Sequence, residues 1–271
     1  MMTRRVLDTF LYDGEAWAIR LRREELDRIG IPVIRAAVIA NRSHQGDVRE
    51  QAEIAALTSS ALEAGADVVH LVDLSEYDDR GRGGVGSPDY QVRERRHRDG
   101  CADAVRRIAQ LNDLCLVSDA DEIPHAWTVA ERLTSLPPGP VAVLAQRMFV
   151  WSLRWRYPGP WLGTTAIRWP GESPQNQRDL RGRSECVVIE DGGWHLSWQG
   201  DRGTRLRKLR GFSHAELADQ AHRLDALAAE GYDINGVKLE RTDSAEEVWP
   251  GGYSETDIAT MIQEGTWTAG H

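Results

Sequence analysis

Apolar positions follow two rhythms along this chain. Up to about residue 124, short apolar runs alternate with longer stretches of helical period. "RRVLDTFLY" reads as a strand, and "EAWAIRLRREELDRIG" follows as a helix with Ile19, Leu26 and Ile29 on one face and Gly30 as its stop. "IPVIRAAVIA" is a second strand. "REQAEIAALTSSALEAG" is a helix that turns Ile54, Leu57 and Ala61 inward and ends at Gly65. "ADVVHLVDL" is a third strand, and the helix "DGCADAVRRIAQL" leads into "DLCLVSDADE". Strands separated by helices at this spacing predict a largely parallel sheet covered on both faces.

Beyond residue 124 the rhythm shortens. "GPVAVLAQRMFVWSLRWRY", "WLGTTAIRW" and "SECVVIEDGGWHLSW" read as strands joined by Gly/Pro turns, more antiparallel in character. "SHAELADQAHRLDALAAEG" predicts one helix, with Ser213 and Glu216 as a capping box and Gly231 as its end. The tail from about Arg241 is polar and carries no clear period. We find no repeat, low-complexity tract or long linker, so the expectation is a single α/β domain over 1–271. Residues of about 1–124 form one half and about 125–271 the other.

Composition narrows the class. The charge of −9 provides no global attraction to nucleic acid or anionic membranes. No run approaches the length of a membrane span, and the N-terminus lacks the apolar core of a secretion signal. Three cysteines at wide spacing, Cys101, Cys115 and Cys186, predict neither a disulfide framework nor a structural zinc site and fit a reducing cytoplasm. Ten tryptophans are unusual, and six lie between Trp151 and Trp198. Indole faces stack on sugar rings, and they also fill cores.

Candidate chemistry gathers at "LVSDADEIP". Alternate residues of an extended chain point the same way, so Asp119 and Asp121 at a strand end suit a hard divalent ion with positions left for water and phosphate. An acidic turn capping a helix would read the same. "QVRERRHRDG" offers arginine forks for a diphosphate. The Gly-rich "DDRGRGGVGSPDY" lacks the Lys-Ser/Thr of a phosphate loop and reads as a lid or a plain loop.

"SDADEIP" resembles the SD-x-DEIP signature of glycosyltransferase family 17, whose animal members add a bisecting N-acetylglucosamine to N-glycans. Three further blocks resemble that family in the same order: "DTFLYDGE" with "AIRL", "RRHRDG", and "GGWHLSW" followed by "LRKLRGFSHAE". Asp99 departs from the polar residue that follows the family's arginine. The resemblance implies a GT-A-like, Rossmann-type mixed sheet flanked by helices, with a DxD motif at a strand end. It also implies an inverting, metal-dependent transfer of a sugar, GlcNAc in the family, from a UDP-linked donor to a hydroxyl acceptor.

On that resemblance, Asp119, Asp121 and His195 would hold Mn2+ or Mg2+. Asp8, Thr9, Glu15, Arg98, Asp119, Lys208 and His214 would face the donor. Trp151, Trp155, Trp161 and Trp198 would stack the acceptor, with Arg147 and Arg154 among them. Asp191 and Glu122 are the candidates for catalytic base, with Glu190, Glu172 and Glu185 nearby. The animal members' membrane anchor has no counterpart, so the expectation is a cytoplasmic enzyme acting on a glycan, lipid-linked sugar, protein, metabolite or modified nucleic-acid base. Nucleic acid enters only as such an acceptor. Two other classes share parts of this pattern. A metal-dependent sugar nucleotidyltransferase would need a triphosphate loop near residue 12, and a non-catalytic carbohydrate-binding protein would need the tryptophans but not both aspartates.

Overall fold

In the computed structural model, which describes residues 5–75, 89–171, 186–211, 215–242 and 247–265, the first half follows the predicted alternation. β1 (Val6–Leu11), α1 (Ala16–Leu26), β2 (Val33–Ala40), α2 (Gln51–Ala64), β3 (Val68–Val72), α3 (Asp89–Ile108) and β4 (Leu114–Asp119) follow one another. The four strands pair in parallel in the order β3-β2-β1-β4. Both faces are covered, which is why β1 is buried from Val6 to Phe10. Phe10 packs with Trp17 and Ile19 of α1 and with Leu57 and Ala61 of α2. On the opposite face Leu7 packs with Cys101, Ala104 and Val105 of α3. Each of the larger aliphatic and Phe side chains here, Leu7, Phe10, Ile19, Leu57 and Val105, stabilises the fold by about 1.5–3 kcal/mol through removal from water.

α3 begins ten residues earlier than its apolar pattern predicts, at Asp89 rather than Asp99. The basic segment is therefore helix, and its period sets Glu94 and Arg98 on one face as an i,i+4 pair 3.1 Å apart. Gly100 allows this helix to lie against the sheet. A Cβ there would come within 2.3 Å of Val72 Cγ2 and 3.0 Å of Val38 Cγ1.

The acid segment departs from its expected shape. β4 ends at Asp119, Ala120 and Asp121 form a turn, and β5 (Glu122–Pro124) starts a new strand. A short helix, α4 (Ala126–Thr128), runs into a π-helical turn over Val129–Leu133. β6 (Ala142–Val150) and β7 (Trp155–Arg168) form a long antiparallel ribbon, and β7 pairs antiparallel with β4. β8 (Val187–Ile189) and β9 (Gly193–Ser197) both pair with β6 in parallel, and β5 closes the edge antiparallel to β9. One mixed sheet in the order β3-β2-β1-β4-β7-β6-β9-β5 thus runs through both halves, with β10 (Glu240–Arg241) added to β7.

Three features of the C-terminal half were not in the pattern. α5 (Arg202–Gly211) is a helix of basic residues with little apolar stripe to announce it. The helix expected over 213–231 divides into a 3₁₀ segment, Ala215–His222, and α6 (Leu224–Glu230), with Arg223 between them as the N-cap of α6. Ser213 of its expected cap lies outside the described residues; Gly231, at φ 71°, ends α6 as expected. α7 (Glu255–Glu264) is capped reciprocally by Ser254 and Asp257 and lays Ile258 and Ile262 in the same cluster as Trp17 of α1. No helix among the described residues is long and apolar enough to cross a membrane.

Candidate functional site

A cleft of about 490 Å³ opens at the carboxyl ends of β1 and β4, where open α/β sheets receive ligands. Its floor is Leu11 and the Asp119–Asp121 turn. One wall comes from the loop after β2 and from α3. The other comes from Trp161, His195 and Trp198, with Lys208 of α5 reaching across.

The acid turn is shaped from beneath by Arg22. This fully buried guanidinium holds both oxygens of Asp8 and donates to Ser118 Oγ at 2.8 Å. It also donates to the carbonyls of Asp119, Ala120 and Glu122. Those three carbonyls cannot all face one donor from a straight strand, so the chain turns at Ala120–Asp121. Consequently Asp119 and Asp121 do not share one direction, as alternation along a strand predicted.

Asp119 faces α3 and accepts two bonds from Arg98, at 2.6 and 3.0 Å, while Arg98 also holds Glu94. Asp121 faces the other wall. Its Oδ2 accepts from Lys208 Nζ at 2.8 Å and its Oδ1 lies 3.4 Å from His195 Nε2. Burial opposes the Asp121 charge, but the Lys208 ammonium and His195 outweigh it and hold its pKa well below the usual carboxylate range. Lys208 is pulled in opposite directions by burial and by Asp121 and Glu15, and its pKa ends above the usual lysine range. Glu15 lies 3.7 Å from Lys208, and burial raises its pKa against that attraction.

Glu122 turns back into the protein and is fully buried, accepting from Trp161 Nε1 at 2.8 Å and from the Asp119 amide at 3.2 Å. It therefore aims the Trp161 indole, which tilts against the His195 ring at 4.9 Å, and does not line the cleft. Among the described residues, the buried His195 Nδ1 has no hydrogen-bond partner.

The remaining expected residues divide. Glu15, Arg98, Asp119, Asp121, Trp161, His195, Trp198 and Lys208 meet at the cleft. Asp8 does not: it is buried as the counter-ion of Arg22, and Thr9 beside it is equally buried. Trp151 is core, donating from its indole to the Tyr232 carbonyl at 2.7 Å, and Trp155 packs against Gly231. Asp191 stands outside the cleft on an exposed left-handed turn at φ 56°, because Gly192 and Gly193 carry the chain behind Ile123 and Pro124 before β9 begins. Glu190 precedes it on the same turn. His214, Glu172 and Glu185 lie outside the described residues.

Among the described residues, no three His, Cys, Asp or Glu side chains converge as a metal cluster. The expected pairing of Asp119 with Asp121 does not fit, since Asp119 is turned to Arg98. Asp121 and His195 do fit a more open arrangement. Asp121 Oδ1 and His195 Nε2 lie 3.4 Å apart, and ions of the Mg2+ type commonly take one or two protein ligands and fill the rest with water and phosphate oxygens.

Arg22, His44 and His97 escaped the sequence reading. Arg22 was detectable, because it interrupts the apolar face of α1 at i+3 from Ile19 and i−4 from Leu26. His44 sits in a loop without periodicity and had no such mark. No protein-family model matches this chain, and no curated protein matches it.

Proposed function

We propose that this protein is a glycosyltransferase that moves a sugar from a nucleotide-sugar donor, UDP-linked in the family it resembles, to a hydroxyl acceptor. The observation that carries the reading is convergence. Glu15, Arg98, Asp121, His195 and Lys208 come from all four blocks of that resemblance, and they line one cleft at a sheet edge suited to a nucleotide.

Each residue has a defined part. Lys208 offers an ammonium to the diphosphate, poised by Asp121 and Glu15 so that it stays charged. Arg98, held by Asp119 and Glu94, extends the positive wall. A divalent ion held by Asp121 and His195 would neutralise charge on the departing nucleoside diphosphate. Trp161, fixed by Glu122, and Trp198 present indole faces for a sugar ring. The acceptor hydroxyl would displace the nucleoside diphosphate in a single step, its oxygen bonding to the anomeric carbon as the bond to the diphosphate oxygen breaks and its proton passing to solvent at the cleft mouth, which inverts the anomeric centre.

The test is a calorimetric and thermal-shift series with UDP-sugars, with and without Mn2+, followed by hydrolysis and transfer assays with labelled donor. Donor-specific stabilisation with release of UDP supports the reading. Release of pyrophosphate from a nucleoside triphosphate and a sugar phosphate would replace it with a nucleotidyltransferase. Binding of free glycans without any nucleotide would replace it with a carbohydrate-binding protein.

A further inference from the structure

The cleft contains a pair of histidines whose protons are placed by the fold. His97 of α3 is buried, and its Nε2 lies 3.0 Å from the carbonyl oxygen of Val38 in β2. A carbonyl only accepts, so Nε2 of His97 carries the proton. Burial, reinforced by the neighbouring His44, pushes the His97 pKa well below the usual histidine range, so the ring is neutral and Nδ1 holds a lone pair. His44 Nε2 stands 3.2 Å from that Nδ1 and is therefore the donor. Burial also lowers the His44 pKa, with Arg98 and Arg49 adding to the effect and Glu94 and Asp13 opposing it. Neutral His44 with a proton on Nε2 has its lone pair on Nδ1.

His44 lines the cleft, and the pair ties the loop after β2 to α3. The same loop is held by Arg93 Nε, which donates to the His44 carbonyl at 2.8 Å, and by Ser43 Oγ, which accepts from the Asp47 amide at 3.1 Å. His44 follows β2, two strands from the acid turn that follows β4. At about 4.8 Å per strand step, that sets the loop roughly 10 Å from the Ala120–Asp121 turn, a span of the order of one nucleoside.

We infer that His44, with its tautomer set by His97, accepts a hydrogen bond from the ring N–H of the donor's nucleobase and so selects uracil, thymine or guanine over cytosine and adenine. Cytosine and adenine present a ring lone pair at the corresponding edge, and two acceptors facing each other leave both buried and unpaired. A site that hydrogen-bonds one edge rejects the mismatched edge for this reason. His97 is a positioning residue, because it touches the lone-pair bearer and not the base. The inference rests on the nucleotide-sugar reading of the cleft.

The experiment is titration of the full chain with UDP, dTDP, GDP, CDP and ADP by calorimetry, together with nitrogen-15 NMR of the histidine rings at pH 7. Expected are an unprotonated Nδ1 on His44 and at least about tenfold tighter binding of UDP, dTDP or GDP than of CDP and ADP. His44→Phe should collapse that ratio to about one. His97→Phe should release the tautomer, seen as a mixed His44 signal, and narrow the ratio while the chain keeps its circular dichroism. Should His97→Phe fail to fold, the wild-type ring signals and the His44→Phe ratio decide the matter. Binding of all five nucleotides alike, or a protonated His44 Nδ1, would overturn the inference and leave the glycosyltransferase reading intact. Binding of none would overturn that reading and this inference with it.

Discussion

The two aspartates of one short turn live in different surroundings. Asp119 belongs to the parallel half, where Arg98 grips it from a helix packed on the sheet. Asp121 belongs to the wall built by β9 and α5, where its partners come from distant segments of the chain. Two residues apart in sequence, they serve opposite sides of the cleft. The contrast teaches that the D-x-D spacing specifies only two carboxylates near a strand end. Their directions are set from below, by Arg22 and the carbonyls it gathers.

Removing that foundation should have the largest effect. Arg22→Met leaves the Asp8 carboxylate buried without its partner, and loss of one member of a buried pair costs about 3–5 kcal/mol. Urea denaturation should show it, and Asp8→Asn in the same background should recover part of the loss. Full stability in Arg22→Met would mean that the turn is held by other contacts.

On the second wall, Trp161→Phe deletes the indole donor to the buried Glu122 carboxylate, and loss of one hydrogen bond to a charged group costs about 1.5–3 kcal/mol. The same variant should weaken acceptor KM more than donor binding, which separates the two walls by function.

Lys208→Met tests the charge balance directly. UDP affinity should fall about tenfold, and acid stability should change in a defined sense. A carboxylate whose pKa is depressed on folding stabilises the folded state above its unfolded pKa of about 3.9, and that contribution is lost as pH falls below it. The wild type should therefore lose stability more steeply between about pH 4 and pH 2 than Lys208→Met, in which Asp121 has lost its strongest partner. Parallel acid curves would show that Lys208 does not govern Asp121.

Asp191→Asn should do least. Asn tolerates the left-handed turn as well as Asp does, and the side chain is exposed and outside the cleft. Stability should move by less than about 0.5 kcal/mol with donor affinity unchanged. A large loss of turnover would bring Asp191 back as a base that reaches the acceptor from outside the cleft.

The legibility of the chain follows the same division. Strands covered on both faces leave continuous apolar runs, so β1, β2 and β4 were readable; the edge strand β3 was readable from its apolar run despite its exposure, as were the left-handed glycine stops at Gly30, Gly65 and Gly231. α5 was not, because a helix carrying Arg202, Arg205, Arg207, Lys208 and Arg210 buries little beyond Leu209. α7 had a legible cap in Ser254 and Asp257 and a pair of apolar residues at i,i+4, but the surrounding polar tail masked both. Within the site, the residue types were legible and their directions were not. A turn imposed by an arginine about 100 residues upstream leaves no local trace in the segment it bends.

That separation also has a consequence in time. A ribosome adds about 5–20 residues per second, so Arg22 emerges at least about 5 s before the carbonyl of Glu122 that it will hold. During that interval α1 has its guanidinium and Asp8 to pair, but no β4 to bring Ser118 and the turn alongside. The nascent chain therefore keeps this corner open until the fourth parallel strand has been made, and the floor of the cleft is among the last parts of the first half to take form.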